Sequence, residues 1–209
     1  MIQIEAIDLS KSYGKVQVLD KLNITFSNDC PNFIVGPNGS GKSTLLKCIM
    51  KIIKYQGRIK GNDVAISYMP EQLPLPDYLS VDSFLNLIGR IRGMTSQEIA
   101  SVLRYYYEKF GLAEFRSTSI INLSKGTRQK VMLIQTLMTE VDIYVFDEPL
   151  SGLDDEAKKV FMEELKNLKK KKKLIIISTH HLKNYPFRNK RVIELNDYFD
   201  LEAIENELA

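Results

Sequence analysis

The run Gly36-Pro37-Asn38-Gly39-Ser40-Gly41-Lys42-Ser43-Thr44 combines glycines, a lysine and adjacent hydroxyls at the spacing G-x-x-x-x-G-K-[ST]. In such a loop the glycines let backbone N–H groups turn inward on phosphate oxygens. Lys42 then offers a charge to the β- and γ-phosphates, and Ser43 offers a hydroxyl to Mg²⁺. A second chemical feature lies far along the chain, where the apolar run Asp142-Ile143-Tyr144-Val145-Phe146 ends in Asp147-Glu148-Pro149. Two acids at the carboxyl end of a strand sit where open α/β sheets bind ligands. Asp147 is placed to hold the Mg²⁺ shell and Glu148 to orient or deprotonate an attacking water. An Asp-Glu pair after a strand is often only a turn; the phosphate loop in the same chain is what favours the chemical reading.

Elements must hold those residues in place. The phosphate loop follows an apolar run, Asn32 to Val35, and precedes a helix start at Leu45-Leu46, which is the strand, loop and helix context it needs. Other strand-like runs are Ile2 to Ile7, Leu22 to Phe26, Val64 to Tyr68, Ile143 to Phe146, Leu174 to Ser178 and Val192 to Leu195. Three of the runs, Asn32 to Val35, Ile143 to Phe146 and Leu174 to Ser178, are nearly continuously apolar, as strands covered on both faces are, and should build a parallel core sheet. The earliest strands, with turns at Tyr13-Gly14 and Asn28-Asp29 and no helix between them, fit an antiparallel layer. Helical spacing over Val81 to Ile91 behind Ser80, and a capping box at Thr95-Ser96-Gln97-Glu98, predict helices in the middle of the chain. Further helices are expected from Ser124 to Thr139, from Asp154 to Lys170 and over Leu201 to Leu208. The five lysines from Lys169 to Lys173 are read as a solvated helix end that complements the helix dipole. The fold class expected is α/β: a parallel-sheet core, an N-terminal antiparallel β layer and an inserted α-helical subdomain. The core takes residues 1–73 and 123–209 and the insertion 74–122.

Composition excludes several alternatives. With 209 residues the chain has room for a single domain, and its 44% hydrophobic and 26% charged content argues against disorder or a coiled coil. A net charge of +3 is too weak to argue for nucleic acid as a partner. No apolar run reaches the length of a membrane-spanning helix. The N-terminus, acidic at Glu5 and Asp8, is not a signal peptide, and Cys30 and Cys48 lack metal or redox spacing, so a reducing cytoplasmic setting is expected.

Five further segments, in order, resemble the nucleotide-binding subunits of ATP-binding cassette (ABC) transporters, and the likeness covers essentially the whole chain. Tyr13 matches the aromatic that stacks on adenine. Gln72, in Tyr68-Met69-Pro70-Glu71-Gln72, matches the loop that joins the core to the helical subdomain and senses Mg²⁺ and water. The stretch Leu123-Ser124-Lys125-Gly126-Thr127-Arg128-Gln129 is similar to the family signature, Ser151-Gly152-Leu153-Asp154 to the loop at the dimer seam, and His180 to the switch histidine near the γ-phosphate. The usual signature reads Leu-Ser-Gly-Gly-Gln; here Lys125 and Thr127 replace its first Gly and its Gln, while Ser124 and Gly126 remain. Lys125 either brings a cation toward a partner's γ-phosphate or points into solvent. His181 reads as the start of the next helix.

The resemblance implies a P-loop NTPase fold and an ATPase that uses ATP and Mg²⁺. Lys42, Gln72, Glu148 and His180 would carry the chemistry. Tyr13 and residues 36–44 would hold the nucleotide, and Ser43, Gln72 and Asp147 the metal. Ser124 and Gly126 would act on ATP held by a second subunit in a homodimer or heterodimer. It further implies a separate transmembrane permease, a place on the cytoplasmic face of the membrane and no nucleic acid. Leu73, Pro74, Leu75, Pro76, Tyr78 and Leu79 would be either a docking surface for that permease or an internal packing loop. The shortness of the chain favours an exporter; the alternative is a soluble ABC ATPase that acts on ribosomes or nucleic acid.

Overall fold

The alternation of the strand side chains shows where the core lies. In the run Ile143 to Phe146, Tyr144 and Phe146 pack into one apolar cluster while Ile143 and Val145 pack into another. Leu174 to Ile177 divides the same way, Ile175 and Ile177 on one side and Leu174 and Ile176 on the other. A strand buried on both faces has no polar side, which is why these runs read as continuously apolar.

In the computed structural model, which describes residues 1–61, 63–72 and 75–195, the chain begins with β1 (Gln3–Tyr13) and β2 (Val16–Ser27), joined by a two-residue turn at Gly14-Lys15. Then come β3 (Asn32–Val35), α1 (Lys42–Ile49), β4 (Gln56–Lys60) and β5 (Ile66–Met69). The helices α2 (Val81–Ile91), α3 (Ser96–Phe110) and α4 (Lys125–Leu137) precede β6 (Ile143–Asp147), α5 (Asp155–Lys170), β7 (Leu174–Thr179) and β8 (Arg191–Glu194). Five strands form a parallel sheet in the order β5-β6-β7-β3-β8, and β2-β1-β4 form an antiparallel sheet. Leu45, Leu46, Cys48 and Ile49 of α1 fill the apolar layer between the two sheets. The other face of the parallel sheet is covered by α4 and α5, against which α2 and α3 pack.

The expected fold class is the one observed, with extensions. The core sheet has five parallel strands where three were expected, because the flanking strands carry a weaker apolar pattern: β5 buries only alternate residues, and β8 alternates half-buried and exposed ones. The first hairpin is longer than its apolar ends suggest, and β5 starts at Ile66, not Val64. Strand β4 is not among the sequence expectations: in Gln56-Gly57-Arg58-Ile59-Lys60 only Ile59 is buried, so an edge strand of this kind carries almost no apolar pattern. Ser80 and the Thr95–Glu98 capping box start α2 and α3 as expected. Of the proline-punctuated stretch, Leu75 is buried, Leu79 packs against the core and Tyr78 is 83% exposed; Leu73, Pro74 and the expected helix Leu201 to Leu208 lie outside the described residues. The lysine run is a solvated helix end as expected, with Lys170, Lys171 and Lys172 exposed; Lys171 and Lys173 also pair with Glu140 at 3.3 and 3.4 Å and Lys173 with Asp142 at 3.4 Å.

Asn32, fully buried at the start of β3, joins the layers. Its amide donates to the carbonyls of Ser27 (2.9 Å), Cys30 (3.0 Å) and Ile175 (3.0 Å), and its oxygen accepts from Ser27 N (3.3 Å). Asn32→Ala leaves those buried groups without partners, so chemical denaturation is expected to show a stability loss of about 2–4 kcal/mol. A loss below about 0.5 kcal/mol would mean that these groups find other partners.

Candidate functional site

Parallel strands place their carboxyl ends along one edge, and the loops leaving β3, β5, β6 and β7 bring residues 36–41, Glu71 with Gln72, Asp147 with Glu148, and His180 to that edge. A cleft of about 630 Å³ opens there. The loop and first turn of α1 form its floor (Asn38, Gly39, Gly41, Lys42, Ser43, Thr44), Tyr13, Val16 and Val18 one wall, and Glu71, Asp147 and Glu148 the other. An adjoining cleft of about 490 Å³ is lined by Ser43, Tyr68, Gln72 and Asp147.

Helix ends show what the floor can bind. Ser80, Thr95, Ser124 and Asp154 cap α2, α3, α4 and α5 with a side-chain oxygen on a backbone N–H, whereas α1 begins at Gly41 with no side-chain cap and no acid in its first turn. Its first N–H groups carry the positive end of the helix dipole into the cleft, beside the Lys42 ammonium. An anion with several acceptor oxygens satisfies that set. The buried Ser40 hydroxyl also has no hydrogen-bond partner among the described residues. These donors fit a polyphosphate, and the hydroxyl of Ser43, the carboxylate of Asp147 and the amide oxygen of Gln72 offer the hard oxygens that Mg²⁺ prefers.

The acid side is held tightly. Asp147, 2% exposed, accepts a hydrogen bond from Ser178 Oγ. The backbone N of Glu148 lies 3.2 Å from both the carbonyl and the hydroxyl oxygen of Ser178, while its φ of 48° holds it in a conformation that costs a non-glycine residue on the order of 1 kcal/mol. Glu148 Oε1 accepts from Nδ1 of His180 at 2.8 Å and lies 3.9 Å from Lys42 Nζ. Lys42, itself buried, donates to the carbonyls of Gly36 (2.8 Å) and Pro37 (2.7 Å). Burial, and then the nearby charges of Asp147 and Glu71, push the Tyr68 phenol upward, so it stays protonated beside the acids.

Loop, acids, Gln72 and His180 thus meet at one edge. Tyr13 stands half exposed on the wall, with Lys11 Nζ 4.7 Å from its ring centroid. Ser124 and Gly126 line neither cleft. Ser124 is exposed and accepts from Thr127 N at 3.1 Å, so Thr127 in the signature-like loop completes the cap. Gly126 packs so closely on the next loop that a Cβ would lie 2.7 Å from the Gly152 carbonyl oxygen. The stem of Lys125 lies over Gly152, about 3.7 Å from where a Cβ would be, and Lys130 pairs with Asp154 at 2.7 Å. Lys125 itself is exposed, its stem passing near Gly152, in keeping with the solvent-facing alternative. His181 begins a 3₁₀ turn, Leu182–Asn184, and its ring lies 3.9 Å from that of His180. Sequence reasoning did not single out Val16, Val18, Glu71 or Ser178; only Ser178 had a local signal, the first hydroxyl after an unbroken apolar run.

The sequence profile described as "ABC transporter" matches residues 19–151. An uncharacterized ABC transporter ATP-binding protein of Methanocaldococcus jannaschii is 33% identical over 194 residues, 92% of this chain and 74% of that protein. The chain belongs to the ABC transporter family. A zinc import ATP-binding protein of Roseobacter denitrificans is 30% identical over 97% of this chain and 79% of its own length, and a probable metal transport system ATP-binding protein of Thermotoga maritima is 32% identical over 85% and 74%. Other curated relatives are longer: the chain spans 64% of one from Bacillus subtilis. Among solved structures, an ATP binding subunit of an ABC transporter superposes with a TM-score of 0.82 at 26% identity, covering 98% of this chain and 92% of that one. A dimeric ATP-binding cassette in a post-hydrolysis state bound to ADP and Pi superposes with a TM-score of 0.80 at 25% identity over 92% and 94%. The fold is that of the ABC ATPases, a P-loop NTPase with parallel and antiparallel sheets.

Gly41 has a φ of 89°, and a Cβ there would lie 2.9 Å from Val18 Cγ1. Gly41→Ala is expected to weaken binding of a nonhydrolysable nucleoside triphosphate by about tenfold or more in an equilibrium titration, with the far-ultraviolet circular dichroism unchanged. An unchanged affinity would show that the loop does not depend on this backbone conformation.

Proposed function

We propose that this ABC ATPase binds ATP in the 630 Å³ cleft, hydrolyses it and couples hydrolysis to a separate membrane permease. The single observation that carries the reading is the uncapped start of α1, with Lys42 beside Glu148 in that cleft and His180 hydrogen-bonded to the same carboxylate. The residues at 36–44 take the phosphates, Lys42 lying against the oxygens that gain charge as the terminal phosphoanhydride breaks. Glu148 accepts a proton from the water that attacks the γ-phosphorus, and the bridging oxygen leaves with ADP. His180, by donating to Glu148, holds that carboxylate in place. Ser43, Gln72 and Asp147 would hold Mg²⁺, which when bound supplies positive charge against the phosphate oxygens. Tyr13 offers a ring for the base.

Ser124 and Gly126 line neither cleft of their own chain, which supports a second subunit, a copy of this chain or a similar one, receiving them at its ATP. The dimeric solved relative supports the same arrangement. Among the described residues no helix is long and apolar enough to cross a membrane, in keeping with a permease on another chain and a place for this one at the cytoplasmic face. A zinc import protein among the relatives weighs against the exporter expectation. The proposal is transport coupling without a direction. The division into a core and a helical subdomain over 74–122 is part of the same reading.

Glu148→Gln tests it. The variant is expected to keep nucleotide affinity and nucleotide-dependent dimerisation while phosphate release falls by about 10²-fold or more. Near-normal release would remove Glu148 from the proton-accepting role.

A further inference from the structure

A cleft of about 430 Å³ lies between α3 and α5 beside the amino-terminal end of β6, and it shares no lining residue with the two clefts already described. Its walls carry Tyr105, Tyr106, Tyr144 and Glu164. Glu164 is only 7% exposed, and its Oε1 accepts a hydrogen bond from Tyr105 Oη at 2.8 Å. No lysine or arginine among the described residues lies within ion-pair distance of it. The acids around it are matched: Glu163 pairs with Lys109 at 3.4 Å, and Glu140, at the same cleft, with Lys171 at 3.3 Å. A carboxylate buried beside a neutral phenol and without a counter-cation is costly.

The surrounding rings are suited to supply part of what is missing. Tyr106 and Tyr144 spend their hydroxyl protons on the carbonyls of Leu137 (3.3 Å) and Thr139 (2.9 Å), so what they offer the cleft is ring surface. Tyr105 lies edge-on to Tyr106, with centroids 5.0 Å apart, and already attracts one cation, Lys109 Nζ, 5.8 Å from its ring centroid. Burial first, and then the hydrogen bond to Glu164 and its charge, push the Tyr105 phenol up to about 12; the Tyr106 phenol is pushed upward as well, by burial and then by Glu164. Both therefore remain neutral donors near neutral pH. A carboxylate among aromatic faces selects an organic cation. The volume falls within the range of about 300–1,000 Å³ found for small-molecule sites.

We propose that this cleft binds a small free organic cation, an ammonium or guanidinium on a short alkyl stem, between Glu164 and the rings of Tyr105, Tyr106 and Tyr144. The site is independent of the nucleotide reading, and its ligand bridges α3 of the insertion and α5 of the core.

Calorimetric titration of the full chain with n-butylguanidinium and with agmatine near neutral pH tests the proposal. Saturable one-to-one binding with a Kd of about 1 mM or tighter is expected for at least one of them. Glu164→Gln keeps an oxygen for Tyr105 to donate to, so it should preserve the thermal midpoint while weakening the cation by about tenfold or more. Ser101→Trp, at an exposed position on the cleft wall, should block binding without touching the core. Neither variant should change affinity for a nonhydrolysable ATP analogue, which separates failure here from failure of the nucleotide site. The absence of saturable binding by the wild type up to about 10 mM, or equal binding by Glu164→Gln, would overturn the proposal. A capped arginine peptide that binds more tightly than n-butylguanidinium would overturn the assignment to a free ligand.

Discussion

A helix whose first amides have no side-chain cap is the constraint around which the molecule is arranged. Those N–H groups must meet water or an anion, and at the start of α1 they open into a cleft beside a buried lysine. The helix cannot drift to relieve this, because Leu45, Leu46, Cys48 and Ile49 are locked between the parallel sheet and the antiparallel layer. Packing energy in one layer thus maintains an electrostatic demand at its edge. The antiparallel sheet contributes to the site as well as to the core: Val18, buried beneath the loop, sets how closely Gly41 can approach, and Tyr13 at the hairpin end stands over the opening.

On the opposite wall the same logic runs through Ser178. Its hydroxyl donates to Asp147 and its two oxygens lie against the Glu148 amide, so the end of β7 fixes both acids at the end of β6. The strained backbone at Glu148 is tolerated because this network and the parallel register over-determine it. Arg92, at the end of α2, plays a comparable part far from the loop. It donates to the carbonyl of Gln135 at 2.7 Å and to the hydroxyls of Ser67 and Thr139, joining the helical insertion to the core through neutral acceptors.

Much of this was legible in the residues because the relevant constraints are local. A phosphate loop must be contiguous to wrap its ligand, a capping box needs neighbouring residues, and a doubly covered strand needs an unbroken apolar run; 36–44, Thr95–Glu98 and Ile143 to Phe146 meet those conditions. Strand β4 escaped because it pairs only through its backbone with β1, leaving Ile59 as its sole apolar mark. Glu71 and Val18 escaped because each is ordinary in its own sequence context and acquires meaning only from what lies across the cleft. Gly126 shows the same limit: nothing near it in the chain indicates the Gly152 carbonyl that a Cβ at 126 would meet at 2.7 Å.

The sequence by itself determined the class of fold, the loop, the pair of acids and the order of the family segments, all of them written in short runs whose physics needs no distant partner. The tertiary structure alone decided which of those segments share a cleft. It placed His180 on Glu148, put Ser124 and Gly126 away from Lys42, and assembled a separate cleft around Glu164 from three helices and the end of a strand. Distances between residues far apart in the chain follow from how the layers pack, and no local pattern encodes that packing.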